Sequence, residues 1–347
     1  MKGRELQVAE WLRSEGPGYP LVLSSRARLA RNLEGLPFPA AASEGELEKA
    51  RGTALEAFFR KADGGGDWNM RFAEELPRED LHYMAEELLV GSSFGERPGG
   101  RALAISWPDA RSITVNYEDH IRIQAVLPGS QVMKAWRMAD EIDSRLEKDV
   151  HYCFDNRLGY LTSSPWNVGT GLRISAMLHL PALVISGEMA RTMAAIAQAG
   201  MFVRGIYGGG SGVFGNIFQI SNRRTLGRSE EELISQLESV IRQVADRERT
   251  ARKVFKRDSR LELEDRVYRS LGVLERARRV GFYEAMELVS SVKLGVDTDI
   301  LPMPDFSLMY VAVAICPYHL RGILGREVDE EDLDRERAVQ IRRLLDL

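Results

Sequence analysis

Between about residue 20 and residue 222 the apolar positions come in short runs: "YPLVLSS", "RALAISW", "SITVNY", "IRIQAVLPG", "FVRGIYG" and "NIFQIS". They are punctuated by Gly, Pro and Asn, a pattern that predicts β-strands. Longer stretches lie between them, at 44–62 and 132–148, where apolar residues recur at three and four and predict helices. A further helix is expected from Ser229. There Ser229 and Glu232 have the spacing of a capping box, and Leu233, Leu237, Val240, Ile241 and Val244 make one apolar face. "LRISAMLHL", residues 172–180, follows a Gly-Thr-Gly turn and is read as a helix too. From about residue 252 the strand-like runs stop, and charged amphipathic segments such as "LELEDRVYRSLGVLERARRV" and "FYEAMELVSSVKLGV" take over. The pattern predicts an α+β unit over 1–252 and an all-helical unit over 253–347, with "DTDILPMPD" as a turn inside the second.

Composition narrows the function classes. The chain has 347 residues, of which 44% are hydrophobic and 28% charged, an ordinary globular balance. A formal net charge of −4 argues against general nucleic-acid binding. The first sixteen residues lack the apolar core of a signal peptide, and the most apolar stretches are too short to span a bilayer, so no membrane role and a cytoplasmic location are expected. Only Cys153 and Cys316 are present, which excludes a disulfide framework and a cysteine-based zinc site. His82, His120, His151, His179 and His319 are dispersed, with no pair at ligand spacing.

Chemistry is suggested at three places. "GSGVFG", Gly210 to Gly215, matches G-x-G-x-x-G, but it sits between two strand-like runs with no helix after it, so a Gly-rich hairpin is the simpler reading. Arginines instead gather at strand ends and turns: Arg26, Arg28, Arg122, Arg173 and Arg204. A guanidinium stays charged and offers a planar fork of donors, so several converging on one site could neutralise a triphosphate without a phosphate loop. Taken singly, each could be a surface ion pair. Glu118 and Asp119 lie in a turn where they could meet a metal through water, orient a cationic substrate, or simply be solvated. Ser164 lies in "LTSSPWNVGTG", without an evident His partner to make it a nucleophile.

Together, "LSSRARLARNLEGLPFP", "NYEDHIRIQ", "LGYLTSSPWNVGTGLRISAMLHLPAL", "VRGIYGGGSGVFGNIFQISNRRTLG" and "LEDRVYRSLGVL" resemble the guanidino kinases, the ATP:guanidino phosphotransferases. They occur in family order from about 20 to 275, and the chain is most similar to the bacterial branch that phosphorylates arginine side chains of proteins. The resemblance implies a catalytic domain with a large antiparallel sheet flanked by helices, followed by a small helical domain that binds phosphoarginine. It implies ATP or ADP with Mg²⁺ as cofactors, and transfer of the γ-phosphoryl group to a guanidinium nitrogen. By position, Ser24, Ser25, Arg26, Ala27, Arg28, Arg122, Arg173, Ile174, Ser175, Ala176, Met177, Arg204, Gly205, Ile206, Tyr207 and Gly208 match the nucleotide site.

The acceptor side departs from the family. Glu118 matches the catalytic glutamate, but Tyr117 stands where a first Glu is usual, Ser164 where the family has cysteine, and Gly209 where it has a second glutamate. In the helical region "LDRERA" matches a family motif through Asp334, Arg337 and Ala338, with Leu333 replacing its first Arg. Partners implied are proteins bearing arginine, a zinc-binding activator protein, an AAA+ protease or chaperone, and a second copy in a homodimer. Two functions stay open. One is a protein-arginine kinase with altered acceptor chemistry; the other is a catalytically impaired pseudokinase, a nucleotide- or phosphoarginine-binding adaptor in protein quality control.

Overall fold

The computed structural model describes residues 9–13, 15–60, 67–107, 111–205, 213–325 and 328–347. Ten strands occur among them: β1 Val22–Arg31, β2 Asp67–Phe72, β3 Ala102–Trp107, β4 Arg111–Val115, β5 Ile121–Pro128, β6 Phe154–Asp155, β7 Gly159–Tyr160, β8 Leu172–His179, β9 Met201–Gly205 and β10 Ile217–Asn222. The helices are α1 Glu44–Phe59, α2 Arg78–Glu86, α3 Val132–Leu146, α4 Pro181–Ile185, α5 Met189–Gln198, α6 Glu230–Asp258, α7 Arg260–Arg276, α8 Phe282–Asp297, α9 Leu308–Ala314, α10 Pro317–Leu324 and α11 Glu330–Leu345. Eight strands form one antiparallel sheet in the order β2-β3-β4-β5-β1-β8-β10-β9, and β6 and β7 make a separate small hairpin.

Side chains alternate across a strand, and directly opposed partners share a face. On one face Ala27, Leu29, Ile123, Ala125, Ile174, Ala176 and Leu178 are buried in a core completed by α1, α3 and α6. In α3 the buried positions Val132, Ala135, Ala139, Ile142 and Leu146 recur at three and four. The second face is mixed. Its apolar members Leu103, Ile105, Val126, Met177 and Ile217 join a second core with Val267, Met286, Val289, Leu308 and Val311 of the carboxy-terminal helices. A methyl added at Gly295 would lie 2.3 Å from Val267 Cγ1, so glycine there permits the close approach of α7 and α8.

All six strand-like runs overlap strands within the described residues, and the helix beginning after Ser229 is present as α6. Its capping box is complete: Glu232 N donates to Ser229 Oγ (3.1 Å) and Ser229 N to Glu232 Oε2 (3.0 Å). The reading of "LRISAMLHL" as a helix is corrected: residues 172–179 are β8, paired with β1 on one side and β10 on the other. A central strand buried on both faces is nearly continuous in apolar residues, so its composition cannot distinguish period 2 from period 3.6. β2, "DWNMRF", was not anticipated either.

A charged network, buried except for Asp305, joins α4, α6 and α8. Glu248 accepts from the backbone N–H groups of Ala182 (3.0 Å) and Leu183 (2.9 Å), and pairs with Arg252 (2.8 Å). Arg252 reaches Asp297 (2.9 Å), and the fully buried Lys293 bridges Asp297 (2.5 Å) and Asp305 (2.6 Å). No helix among the described residues is long and apolar enough to cross a membrane.

Replacing Ser229 with Ala should cost about 1 kcal/mol through loss of the cap. A urea titration following helix signal checks this; an unchanged midpoint would show that the box contributes nothing.

Candidate functional site

The register of the central strands determines where the charges go. Arg28 of β1 lies opposite Gln124 of β5 and Arg173 of β8, Ala30 opposite Arg122, and Arg26 opposite Ser175. Arg204 of β9 lies opposite Gln219, which in turn lies opposite Met177. Arg26, Arg28, Arg122, Arg173 and Arg204 therefore all project from the same face of the sheet, the one not covered by α1, α3 and α6.

Four of them border a cleft of about 210 Å³: Arg28, Arg122, Arg173 and Arg204 line it with Leu29, Ala30, Glu118, Asp119, Ser164, Asn167 and Gly171. Arg26 stands beside them on β1, only 6% exposed. Among the described residues none of the five is in an ion pair. Arg26 Nε and Nη2, Arg28 Nε and Arg122 Nε are buried with no hydrogen-bond partner. Arg204 alone is held by a neutral group, donating through Nε to Gln219 Oε1 (2.8 Å).

Burial, with Arg122, Arg204 and Arg173 adding like charge, pushes the Arg26 guanidinium down to about 9. Burial and its arginine neighbours hold Arg28 well below its usual range. Arg122 and Arg173 are lowered by burial, with the nearby Glu118 opposing the shift in both. Buried cations without counter-charges are costly, and a fold that assembles them is built for an anion. A larger groove of about 540 Å³ between α4, α6 and the start of α7 contains no such set of charges; among its lining residues Arg247 is the only arginine, facing Glu188, Asp246, Asp258 and Glu262.

The acidic turn sits between β4 and β5, where Asn116 has a left-handed backbone (φ 57°). It separates the two carboxylates. Asp119 is buried and accepts from Asn32 Nδ2 (2.7 Å) and Ser163 N (2.6 Å), so it fastens the 161–171 loop to the turn. Ser163 Oγ donates to the Glu118 carbonyl (2.7 Å), which adds a second fastening. Glu118 keeps its carboxylate exposed at the cleft.

Tyr117 turns its hydroxyl to Ser93 Oγ (2.7 Å) and its ring toward Phe94 and the Arg122 guanidinium, 5.4 Å from the ring centre. It supplies a surface for Arg122 where the family pattern has a carboxylate. Ser164 lines the cleft, and its carbonyl accepts from Thr162 Oγ1 (2.8 Å) and Asn167 N (2.9 Å). Cys153 does not replace the missing thiol: its Sγ donates to Leu33 O (3.2 Å), and burial pushes its pKa up.

The remaining positions divide by strand parity. Ser24 and Ser175 share the arginine face, and Met177 on that face joins the second core. Ala27, Ile174 and Ala176 are placed on the opposite face, packed in the first core, so their side chains do not line the cleft. Ser25 is also turned away, donating to Gly129 O (2.7 Å) and accepting from Gln131 N (2.9 Å). Gly205 is buried at the end of β9. Ile206, Tyr207, Gly208 and Gly209 lie outside the described residues. Asn167, Gly171 and Gln219 were missed; "WNVGTG" carried a ligand-loop signal, but Gln219 gave none without the register.

In α11, Arg337 is 2% exposed and donates to Ile315 O (3.0 Å), Val280 O (2.9 Å) and Asp334. Nη2 is its nitrogen with no partner among the described residues. Leu333 is buried.

Two descriptions of known families match this chain. Residues 52–251 match the family described as ATP:guanido phosphotransferase, C-terminal catalytic domain, and residues 260–347 match the Protein-arginine kinase McsB C-terminal domain. The chain is 42% identical over 339 residues to a protein-arginine kinase of Symbiobacterium thermophilum, covering 96% of each chain. It is 40% identical over 343 residues to one of Moorella thermoacetica, covering 97% of each. Among solved structures, Lombricine Kinase superposes with a TM-score of 0.57 at 24% identity over 68% of each chain. The substrate-free duplicated taurocyamine kinase from Schistosoma mansoni superposes with a TM-score of 0.59 at 23% identity, over 68% of this chain and 34% of that one. These two likenesses concern the fold.

Replacing Arg28 with Met should leave the ligand-free protein as stable or raise its thermal midpoint, because a buried unpaired charge is removed. The same change should weaken triphosphate binding on the order of 100-fold. Thermal denaturation with and without ATP measures both; a destabilised variant that still binds ATP normally would refute the assignment.

Proposed function

We propose a mechanism on the premise that this chain belongs to the ATP:guanido phosphotransferase family, in its protein-arginine kinase branch. The activity is ATP-dependent phosphorylation of arginine side chains in proteins. The observation that carries the mechanism is the set of unpaired guanidinium groups that meets one free carboxylate, Glu118, across a single cleft.

Phosphoryl transfer proceeds through a loose transition state whose charge is spread over phosphoryl oxygens, so positioning and cationic groups supply most of the rate. Arg26, Arg28, Arg122, Arg173 and Arg204 take the triphosphate, and the arginine face of the sheet is the floor of the nucleotide site. Their unpartnered donors fit phosphate oxygens. Mg²⁺ would be held chiefly by the triphosphate itself, with Glu118 as the nearby carboxylate, and would draw charge from the phosphate oxygens. The acceptor guanidinium lies between Glu118 and Ser164. A new N–P bond forms as the bond from the γ-phosphorus to the bridging oxygen breaks, and ADP leaves with that electron pair. The guanidinium nitrogen gives up a proton, and Glu118 accepts it. Ser164 can hydrogen-bond the guanidinium but brings no negative charge, so this acceptor site relies on Glu118 more than a thiolate-bearing one would.

The same reading divides the chain into a catalytic domain, 1–252, and a helical domain, 253–347; the chain turns between α6 and α7 at Ser259. The helical domain binds phosphoarginine with Asp334 and the free Nη2 of Arg337, more weakly than a site with two arginines. The zinc-binding activator protein, the AAA+ protease or chaperone, and the homodimer belong to this reading as well.

Transfer from γ-labelled ATP with Mg²⁺ to an arginine-rich protein should yield acid-labile label, and Glu118→Gln should lower the rate by about 10²- to 10⁴-fold. Absence of label from protein that still binds ATP would leave the adaptor reading instead. Ser164→Cys should raise kcat by roughly tenfold, restoring a group that can carry negative charge beside the guanidinium. It should also make turnover sensitive to a thiol-alkylating reagent. A lower kcat in that variant would show that the site is adapted to serine.

A further inference from the structure

At the acceptor end of the cleft two large apolar side chains face solvent: Trp166 (55% exposed) and Leu226 (50%). They are not scattered. Thr225 Oγ1 donates to the carbonyls of Trp166 (3.2 Å) and Val168 (2.6 Å), which ties the segment before Leu226 to the Trp166 loop. A Cβ on Gly169 would lie 2.8 Å from Leu226 Cα, so the two backbones are in contact. The two segments thus set Trp166 and Leu226 on one apolar rim, and Ser164, two residues before Trp166, lines the cleft beside it. Single exposed apolar residues are ordinary, whereas a contiguous set at the mouth of a site marks a partner surface.

We propose that this rim is a specificity surface that takes an apolar side chain next in sequence to the acceptor arginine of the protein substrate. The proposal rests on the reading that an arginine side chain enters between Glu118 and Ser164. The substrate backbone then emerges at the same mouth. Trp166 is two residues from Ser164 in the turn that Asn167 N closes on the Ser164 carbonyl (2.9 Å), so it stands at most about 7 Å along the chain from Ser164, within one or two residues' span of the acceptor. Exposed Arg223 and Arg224 lie just before Thr225, so a basic neighbour would meet like charge there, while an apolar one would lose water against Trp166 and Leu226.

The test uses the full chain, MgATP and three peptides, each with one arginine flanked by leucine, glycine or lysine. The leucine-flanked peptide should have kcat/KM about tenfold above the glycine-flanked one, through KM, with the lysine-flanked peptide lowest. The double variant Trp166→Ser with Leu226→Ser should bring the leucine-flanked peptide down to the glycine level and leave the glycine-flanked rate unchanged. Both side chains are exposed, so the changes do not touch either core. Equal use of the leucine and glycine peptides by the unaltered chain, or equal loss on both in the variant, overturns the proposal. Should none of the peptides be phosphorylated, the kinase reading has failed instead, and the rim is then judged by titrating the same peptides onto the chain with ADP and Mg²⁺. Tighter binding of the leucine peptide by the same factor supports it, and equal Kd values overturn it.

Discussion

Repulsion among five guanidinium groups on one sheet face is the constraint around which this structure is arranged. Arg26, Arg28, Arg122, Arg173 and Arg204 are partly or wholly out of water, and each is pushed toward its neutral form by that burial. A flexible surface would let such charges separate. Here they sit on β1, β5, β8 and β9, whose backbone ladders and first core hold them together whether or not an anion is present. The unfavourable electrostatics are thereby converted into affinity for phosphate, since an anion relieves a cost that folding has already incurred.

The two sides of the cleft have been treated differently. The phosphate side is assembled from rigid strands. The acceptor side is assembled from a turn and a loop, joined by Asp119 through Asn32 and the Ser163 backbone. Asp119 is held by Asn32 and Ser163, whereas Glu118 is the exposed carboxylate at the cleft, the one the proposed mechanism turns to the substrate. Tyr117 is not among the residues that line the cleft; its hydroxyl meets Ser93 and its ring faces the Arg122 guanidinium. In the proposed mechanism Ser164 brings no negative charge, so that charge toward the guanidinium is concentrated in Glu118 and geometry carries more of the rate.

The carboxy-terminal helices are not a loose appendage. Met177 and Ile217 of the central strands lie in their core, and Lys293 and Arg252 bind them to α6 through buried carboxylates. Gly215 N donates to Glu287 Oε1 (2.8 Å) of α8, immediately before β10 begins. The helical region therefore shares its packing with the strands that carry the arginines.

Much of this was legible from residue order alone. Strand runs with turn residues, the capping box at Ser229 and the apolar stripe of α6 depend on local periodicity, which a sequence states directly. The motif order identified the chemistry, because charge type and spacing survive without coordinates. β8 was misread because a strand buried on both faces loses its alternation. What only the tertiary structure decided was which groups share a face and which are satisfied. Ala27 and Arg28 are neighbours in the chain, yet one lies in the core and the other in the cleft; Glu118 and Asp119 are adjacent, yet one is free and the other spent on Asn32 and Ser163. Strand register and long-range hydrogen bonds set those assignments. They join residues about a hundred positions apart, such as Arg26 and Val126, so no local pattern could encode them.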